Sequence, residues 1–338
     1  MRIGLVGFKG SGKTTVFNAL TGQHAEVGGY GSKVNLGVIK VPDARIDALS
    51  ALCKPKKTTY AEITFADVPG FERGGLDTQA LGHLRDLDAF AFVVASFGEH
   101  QGTAVKQMRD LDAELVLADL AIVEKRLERL KKEKGRPGEK ELLDKIGAEL
   151  SSEKPLRLVD LSADDERNLS SFGFVSRRPI QFVLNVDDAD AARPAPGDVT
   201  NAAGAAPVFV LSGNAEMEIA QLAPEDQPAF LADLGLEEPA RARFIRACYA
   251  LLDLISMFTT GDDEVKAWTI HRGDVARKAA GKIHSDIERG FIRAEVIRYE
   301  DYVALETEAR CREQGKLRLE GKEYVVQDGD VVHFRFNV

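Results

Sequence analysis

The sequence predicts an α/β protein: a doubly wound, mostly parallel sheet with an inserted helical hairpin, followed by a smaller α+β module. Three observations predict it. Short apolar runs separated by helical patterns recur along the first half and again near 180–212, as in strands buried on both faces. Between residues 103 and 179 the pattern becomes that of a long amphipathic helix and a shorter return. From Phe258 onward it becomes a series of strands with one short helix.

The first run, RIGLV at 2–6, leads into Gly7-Phe8-Lys9-Gly10-Ser11-Gly12-Lys13-Thr14, which fits G-x-x-x-x-G-K-[ST]. The helical stretch TTVFNALTG follows, and Gly22 can end it. Strand, glycine loop and helix form the context a phosphate-binding loop requires. Backbone N–H groups at Gly10, Ser11 and Gly12 converge on phosphate oxygens at a positive helix end. Lys13 reaches the β/γ-phosphates, the Thr14 hydroxyl ligates Mg²⁺, and Thr15 starts the helix beside the nucleotide.

Further strands are expected at 34–41, 60–68, 88–96, 180–185 and 208–212. Ligands in such sheets gather at the carboxyl ends of strands. After the 60–68 run stands Asp67-Val68-Pro69-Gly70, a D-x-x-G in which Asp67 acts on Mg²⁺ and the Gly70 N–H reads the γ-phosphate. After the 180–185 run, Asn185-Val186-Asp187-Asp188 occupies the base-reading place where guanine binders carry N-K-x-D. After 208–212, Ser212-Gly213 offers a backbone N–H to the base. A P-loop kinase is the rival reading, but its arginine-rich lid has no counterpart here.

The stretch 112–134 repeats Leu115, Leu120, Val123, Leu127 and Leu130, a long amphipathic helix. Residues 135–138 break it and 139–150 can return antiparallel, with Lys131, Lys132, Lys134 and Arg136 at the turn. Residues 187–207, rich in Ala, Pro and Gly, read as a surface loop. In the last module, strands are expected at 265–270, 291–299, 316–319 and 331–336, with a helix at 276–284. The expected domains are 1–102 with 179–255 for nucleotide binding, 103–178 for the hairpin, and 256–338 for the C-terminal module.

Composition narrows the function. The 338 residues carry 45 Lys and Arg against 54 Asp and Glu, a net charge of −9, which excludes adhesion to nucleic acid over the whole surface. Cys53, Cys248 and Cys311 are too few and too scattered for a disulfide framework or a cysteine metal site. No apolar run approaches the ~18 residues of a membrane span, and the chain opens on a strand, not a signal peptide. A cytoplasmic, monomeric protein is expected. Lone residues receive bland readings: His83 on a helix, Cys53 in packing, Trp268 in the core of the last sheet.

These motifs resemble those of the YchF/Obg-like ATPases, a P-loop family of the translation-factor-related class. The resemblance spans nearly the whole chain and is carried by ADLAIVEKRLERL at 118–130, EMEIAQL at 216–222, KAWTI at 266–270, GFIRAEVI at 290–297 and the run at 315–338. It implies a G-domain-like core, an inserted coiled-coil hairpin and a C-terminal TGS domain of β-grasp fold. It implies slow hydrolysis of ATP, with Mg²⁺, by a switch that acts on ribosomes or RNA. The alternatives are a nucleotide-dependent scaffold that does not hydrolyse, and a GTPase.

Departures from the family pattern are equally specific. Lys9, Gly10 and Ser11 replace the family's Pro-Asn-Val, removing the Asn by which potassium-activated relatives hold that ion. The first switch, GYGSKVN at 29–35, is shortened, with Ser32 as the small hydroxyl left for Mg²⁺. The second, FERGGLDTQALG at 71–82, is also cut down. Phe71 stands where Ras-like proteins place the water-orienting glutamine. Val186 replaces the lysine that packs along guanine, so ATP is expected to bind at least as well as GTP. Basic residues recur at the hairpin end, at Arg272, Arg277, Lys278 and Lys282, and along 310–322. The resemblance would place them around one cleft for RNA.

Overall fold

The computed structural model describes residues 1–26, 34–72, 74, 76 and 78–337. Among them run twelve strands: β1 (Arg2–Val6), β2 (Asn35–Lys40), β3 (Lys57–Thr59), β4 (Glu62–Asp67), β5 (Ala89–Ser96), β6 (Ile180–Val186), β7 (Val208–Leu211), β8 (Leu254–Thr259), β9 (Glu264–His271), β10 (Phe291–Arg298), β11 (Arg318–Glu320) and β12 (Asp330–Phe336). The chain divides into two compact units, Met1–Val38 with Thr64–Phe244 and Ile39–Ile63 with Ile245–Val338.

In the first unit the sheet order is β2-β4-β1-β5-β6-β7. β1 lies between β4 and β5, parallel to both, with Leu5 opposite Asp67 and Val6 opposite Phe92. β5 runs parallel to β6 with Ala95 opposite Asn185, and β6 parallel to β7 with Asn185 opposite Leu211. This register levels the carboxyl ends of the strands, so the loops that follow them meet along one edge. The sheet interior is apolar: Ile3, Leu5, Phe65, Phe92 and Val93 are fully buried. The rings of Phe71, Phe8, Phe92 and Phe182 pack edge to face in sequence, with centroids 5.2, 6.0 and 6.1 Å apart.

The hairpin helices are Ala104–Leu130 and Glu139–Ser151. The first begins eight residues before the periodicity alone places it, because its two halves serve different cores. Ala104, Met108, Leu111 and Leu115 pack on the sheet. Val116 and Val123 pack with Leu143, Ile146 and Leu150 of the return helix. One heptad-like stripe cannot describe both, so the first two turns escape the pattern. The second helix starts at Gly138, whose φ of +75° suits glycine. The stretch 187–207 is not a plain loop: it contains the helix Gly197–Ala203, anchored by buried Val199 against the sheet.

The second unit has the sheet order β11-β10-β12-β8-β9-β3. β12 lies antiparallel to β10 and parallel to β8, and β8 lies antiparallel to β9. Its core is built by Ile255, Met257, Ile270, Ala276, Ala280, Val296 and Val332. Trp268 packs against this core and donates its indole N–H to Thr259 Oγ1 at 3.0 Å. Residues 39–63 group with this unit, whereas the expected division places them in the nucleotide domain. β3 supplies the reason: it adds to the edge of β9 in parallel, Thr58 opposite Val265. The expected strand at 60–68 is β4, and β3, just before it, is an unexpected strand that joins the other sheet. Other short elements of this unit also escaped the sequence reading: β8, and the helices Ala44–Cys53, Ser285–Arg289, Tyr299–Leu305 and Glu308–Glu313.

Asp119, fully buried midway along the first hairpin helix, accepts from the backbone N–H groups of Val175 at 2.9 Å and Ser176 at 2.7 Å. These bonds tie the insertion to the segment leading into β6. Burial pushes its carboxyl up to about 6, against the opposing pull of those hydrogen bonds. The folded protein thus binds this proton more tightly than the unfolded chain. The resulting stabilisation is full below the ordinary carboxyl value of 3.8 and is lost as pH rises through about 6. In urea titrations from pH 4 to 7, the stability of wild type relative to Asp119→Asn should fall with rising pH and then level. A difference that stays constant over that range contradicts the assignment.

Candidate functional site: a phosphate loop at the strand ends

The loop after β1 closes through Ser11 N–H to Phe8 O, 3.2 Å. Gly10 and Gly12 take φ of +81° and +79°, the left-handed region that lets successive N–H groups turn inward. Helix Lys13–Thr21 begins at once and ends at Gly22, whose N–H returns to Asn18 O. Its N-cap, Gly12, provides no side-chain acceptor, so the first-turn N–H groups remain for a ligand.

Three predicted residues meet at this helix start. Thr14 Oγ1 donates to Asp67 Oδ2 at 3.0 Å, and Asn35 Nδ2 donates to the same oxygen at 3.4 Å. Asp67 Oδ1 is buried with no hydrogen-bond partner, as is Ser11 Oγ. Burial pushes the Lys13 ammonium down, opposed by the charge of Asp67. Burial likewise pushes the Asp67 carboxyl up, opposed first by Lys13 and then by Thr14 and Asn35. The cluster is thus a desolvated pair with an open carboxylate oxygen, a donor set that fits Mg²⁺ held largely by phosphate oxygens. Among the described residues no cluster of three or more His, Cys, Asp or Glu forms an all-protein metal cage. Ser32 lies outside the described residues.

Gly70 ends the D-x-x-G segment against the loop. A Cβ there would lie 2.8 Å from Lys13 Nζ and 3.3 Å from Lys9 N, so a larger residue would push the Lys13 ammonium aside. The segment is fastened by Lys9 N–H to Phe71 O at 3.2 Å and by an exposed Lys9–Glu72 ion pair at 2.7 Å. Phe71 itself is buried among phenylalanines, so its side chain gives an attacking water no hydrogen-bond partner. His83 sits on helix Thr78–Arg85, with Nε2 buried and without a hydrogen bond.

The residues expected to read the base are drawn together by Asn185. Its Nδ2 donates to Ser11 O at 3.1 Å, and its Oδ1 accepts from Gly213 N–H at 2.8 Å. Val186 is buried at the end of β6. Ser212 Oγ donates to Asp188 and also caps helix Gly213–Gln221 by accepting from Ala215 N–H. Asp187 is held by Gly98 N–H at 3.2 Å and Gln101 Nε2 at 2.9 Å. Thr15 touches the same neighbourhood, its methyl 3.5 Å from where a Gly213 Cβ would lie. Asn35 and the Lys9–Glu72 pair escaped the sequence reading. Asn35 is the last residue of the shortened first switch, and an amide there carries no motif of its own.

Comparison with known proteins points the same way. Residues 2–137 match the family model described as "50S ribosome-binding GTPase". Residues 254–337 match the YchF-GTPase C-terminal model, described as "Protein of unknown function (DUF933)". The Ribosome-binding ATPase YchF of Bacillus subtilis is 40% identical over 99% of this chain and 99% of its own length. That of Escherichia coli O157:H7 is 37% identical over 100% and 99%. The structure of the Schizosaccharomyces pombe YchF GTPase superposes with a TM-score of 0.87 at 28% identity, covering 99% of this chain and 97% of that one.

Asn185→Ala removes both bonds that join the phosphate loop to Gly213 and leaves a buried N–H unpaired. The ligand-free protein should lose about 1–3 kcal/mol of stability in denaturant titration. Unchanged stability would show that the tie carries no load.

Proposed function

The chain belongs to the YchF family, and we propose that it is a slow, ATP-hydrolysing switch that docks on the ribosome in the cytoplasm. The observation that carries this reading is the buried Lys13–Thr14–Asp67 cluster, with its open carboxylate oxygen, at the start of a helix bare of side-chain capping. In the proposed roles, backbone N–H groups of residues 10–15 cradle the phosphates and Lys13 neutralises the β/γ oxygens. Thr14 and Asp67 hold Mg²⁺, which draws charge from the transferred phosphoryl group. The Gly70 N–H reads the γ-phosphate. Val186, Ser212 and Gly213 frame the base, with Asn185 holding that frame to the loop. Among the described residues no helix is long and apolar enough to cross a membrane.

The printed names of the relatives disagree on the base, ATPase for the bacterial proteins and GTPase for the fission-yeast structure. The geometry favours adenine. Guanine reading needs a free carboxylate and a lysine stem along the ring. Here Asp188 is engaged by Ser212, Asp187 is engaged by Gly98 and Gln101, and Val186 replaces the lysine. Calorimetric titration with Mg²⁺ should show ATP binding at least as tightly as GTP. A tenfold preference for GTP, about 1.4 kcal/mol, reverses the assignment. Because Phe71 cannot orient water, intrinsic turnover should lie on the order of 10⁻⁴–10⁻² s⁻¹. Turnover above about 1 s⁻¹ without a partner excludes the slow-switch reading, and its complete absence favours the non-hydrolysing scaffold.

Lys13→Ala tests the phosphate assignment. The side chain serves a ligand, so nucleotide affinity should fall at least a hundredfold while the ligand-free melting temperature changes little. Retained affinity in a folded variant refutes the assignment.

A further inference from the structure

We propose that a cleft at the free end of the helical hairpin binds one unpaired nucleotide of an RNA strand, the base inside and its phosphates on the surrounding cations. The proposal rests on the ribosome-docking reading and adds to it a subsite with defined chemistry. The cleft has a volume of about 210 Å³. Its floor is apolar: Leu142, Leu143, Leu169 and Phe172, of which Leu143 and Leu169 are buried in the hairpin core. The Phe172 ring is held by stacking on Phe174, centroids 5.3 Å apart and planes 5° from parallel. The rim is polar. Arg136, Asn168 and Ser171 line it, all exposed and without a side-chain hydrogen bond among the described residues, together with Arg126 and Glu139, which are paired with each other.

Size and charge decide the ligand class. Sites for whole drug-sized molecules run roughly 300–1,000 Å³. This cleft is smaller, and takes one ring system with the attached sugar and phosphate outside. An apolar floor with an aromatic face receives a base. The Asn168 amide and Ser171 hydroxyl can meet its polar edge. Residues 124–145 contain nine Lys and Arg beside six Asp and Glu, an excess of three in a chain of net charge −9. Arg126 is spent on Glu139, at 2.7 and 3.1 Å, Lys131 on Glu128 and Lys140 on Asp144. Lys132, Lys134 and Arg136 have no ion pair among the described residues, although the Arg136 charge also helps hold the Glu139 carboxyl down. Attraction to the carboxyl pole of helix Ala104–Leu130 accounts for Arg129 and Lys131. It does not account for the cations of the turn beyond. In the second unit Arg272, Lys278, Arg310, Arg312, Lys316 and Arg318 pair with acids, whereas Arg277, Lys282 and Lys322 have no ion pair among the described residues. Lys132, Lys134 and Arg136 fall within five residues at the turn beside the cleft, and a base must leave its stack to enter, which selects single-stranded RNA over duplex.

The test uses the full chain. Fluorescence anisotropy is read with a labelled eight-nucleotide RNA of mixed sequence, the same backbone made abasic throughout, and an acidic peptide of equal charge. Wild type should bind the RNA about tenfold more tightly than the abasic strand, the worth of one stacked base. Ser171→Trp, which fills the mouth from an exposed position, should reduce RNA binding to the abasic level. Arg136→Glu should weaken both strands. ATP turnover and melting temperature of both variants should match wild type. Equal binding of RNA and abasic strand, or tighter binding of the peptide, overturns the proposal. Gradient co-sedimentation with ribosomes separates the two levels of claim. If wild type and Ser171→Trp sediment alike, the cleft assignment falls and the docking reading stands. If wild type does not sediment, docking falls, and the oligonucleotide titration still decides the cleft.

Discussion

Asn185 is the residue on which the nucleotide site turns. Its amide holds the phosphate loop at Ser11 and its carbonyl oxygen holds the helix start at Gly213, so two loops from opposite parts of the sequence share one side chain. The arrangement demands the residues around it. A Cβ on Gly12 would lie 2.3 Å from Asn185 Nδ2, and one on Gly213 would lie 3.2 Å from its Oδ1. The glycine of the motif thus serves two ends: it adopts the left-handed turn, and it leaves room for the tie.

The same crowding explains the charges. Gly70 lets the end of the D-x-x-G segment come within contact of Lys13, which removes water from both Lys13 and Asp67. Each charge is disfavoured by burial and supported by the other.

The helical insertion reaches this site through its first turns. Gln107 donates to Ala95 O at 2.8 Å and accepts from Ala95 N–H at 3.0 Å, and Ala95 pairs with Asn185 across β5 and β6. Asp119 makes a second attachment three turns further along, to the segment entering β6. The helix is therefore fixed to the strands that carry the base-reading loop, while its far half forms a separate apolar core and presents the basic turn.

The sequence by itself determined the phosphate loop, the D-x-x-G and Asn185 segments, most of the strands and the hairpin. Each of these is a local pattern: a spacing of glycines, a run of apolar residues, a helical period. The sequence also showed that Phe71 and Val186 depart from hydrolytic and guanine-reading chemistry, because a single residue type decides each. Only the tertiary structure decided the rest. It grouped residues 39–63 with the C-terminal unit and put β3 in that unit's sheet, a placement hidden from the sequence because β3 is three residues long and its partner β9 lies some two hundred positions away. It showed that Asp188 is engaged by Ser212, and which cations are paired: Arg310 and Lys316 near the chain's end and Lys131 at the hairpin turn are, while Lys132, Lys134 and Arg136 are not among the described residues. Contacts between residues distant in sequence leave no periodic trace, so strand partners and the pairing of charges become visible only when the chain is folded.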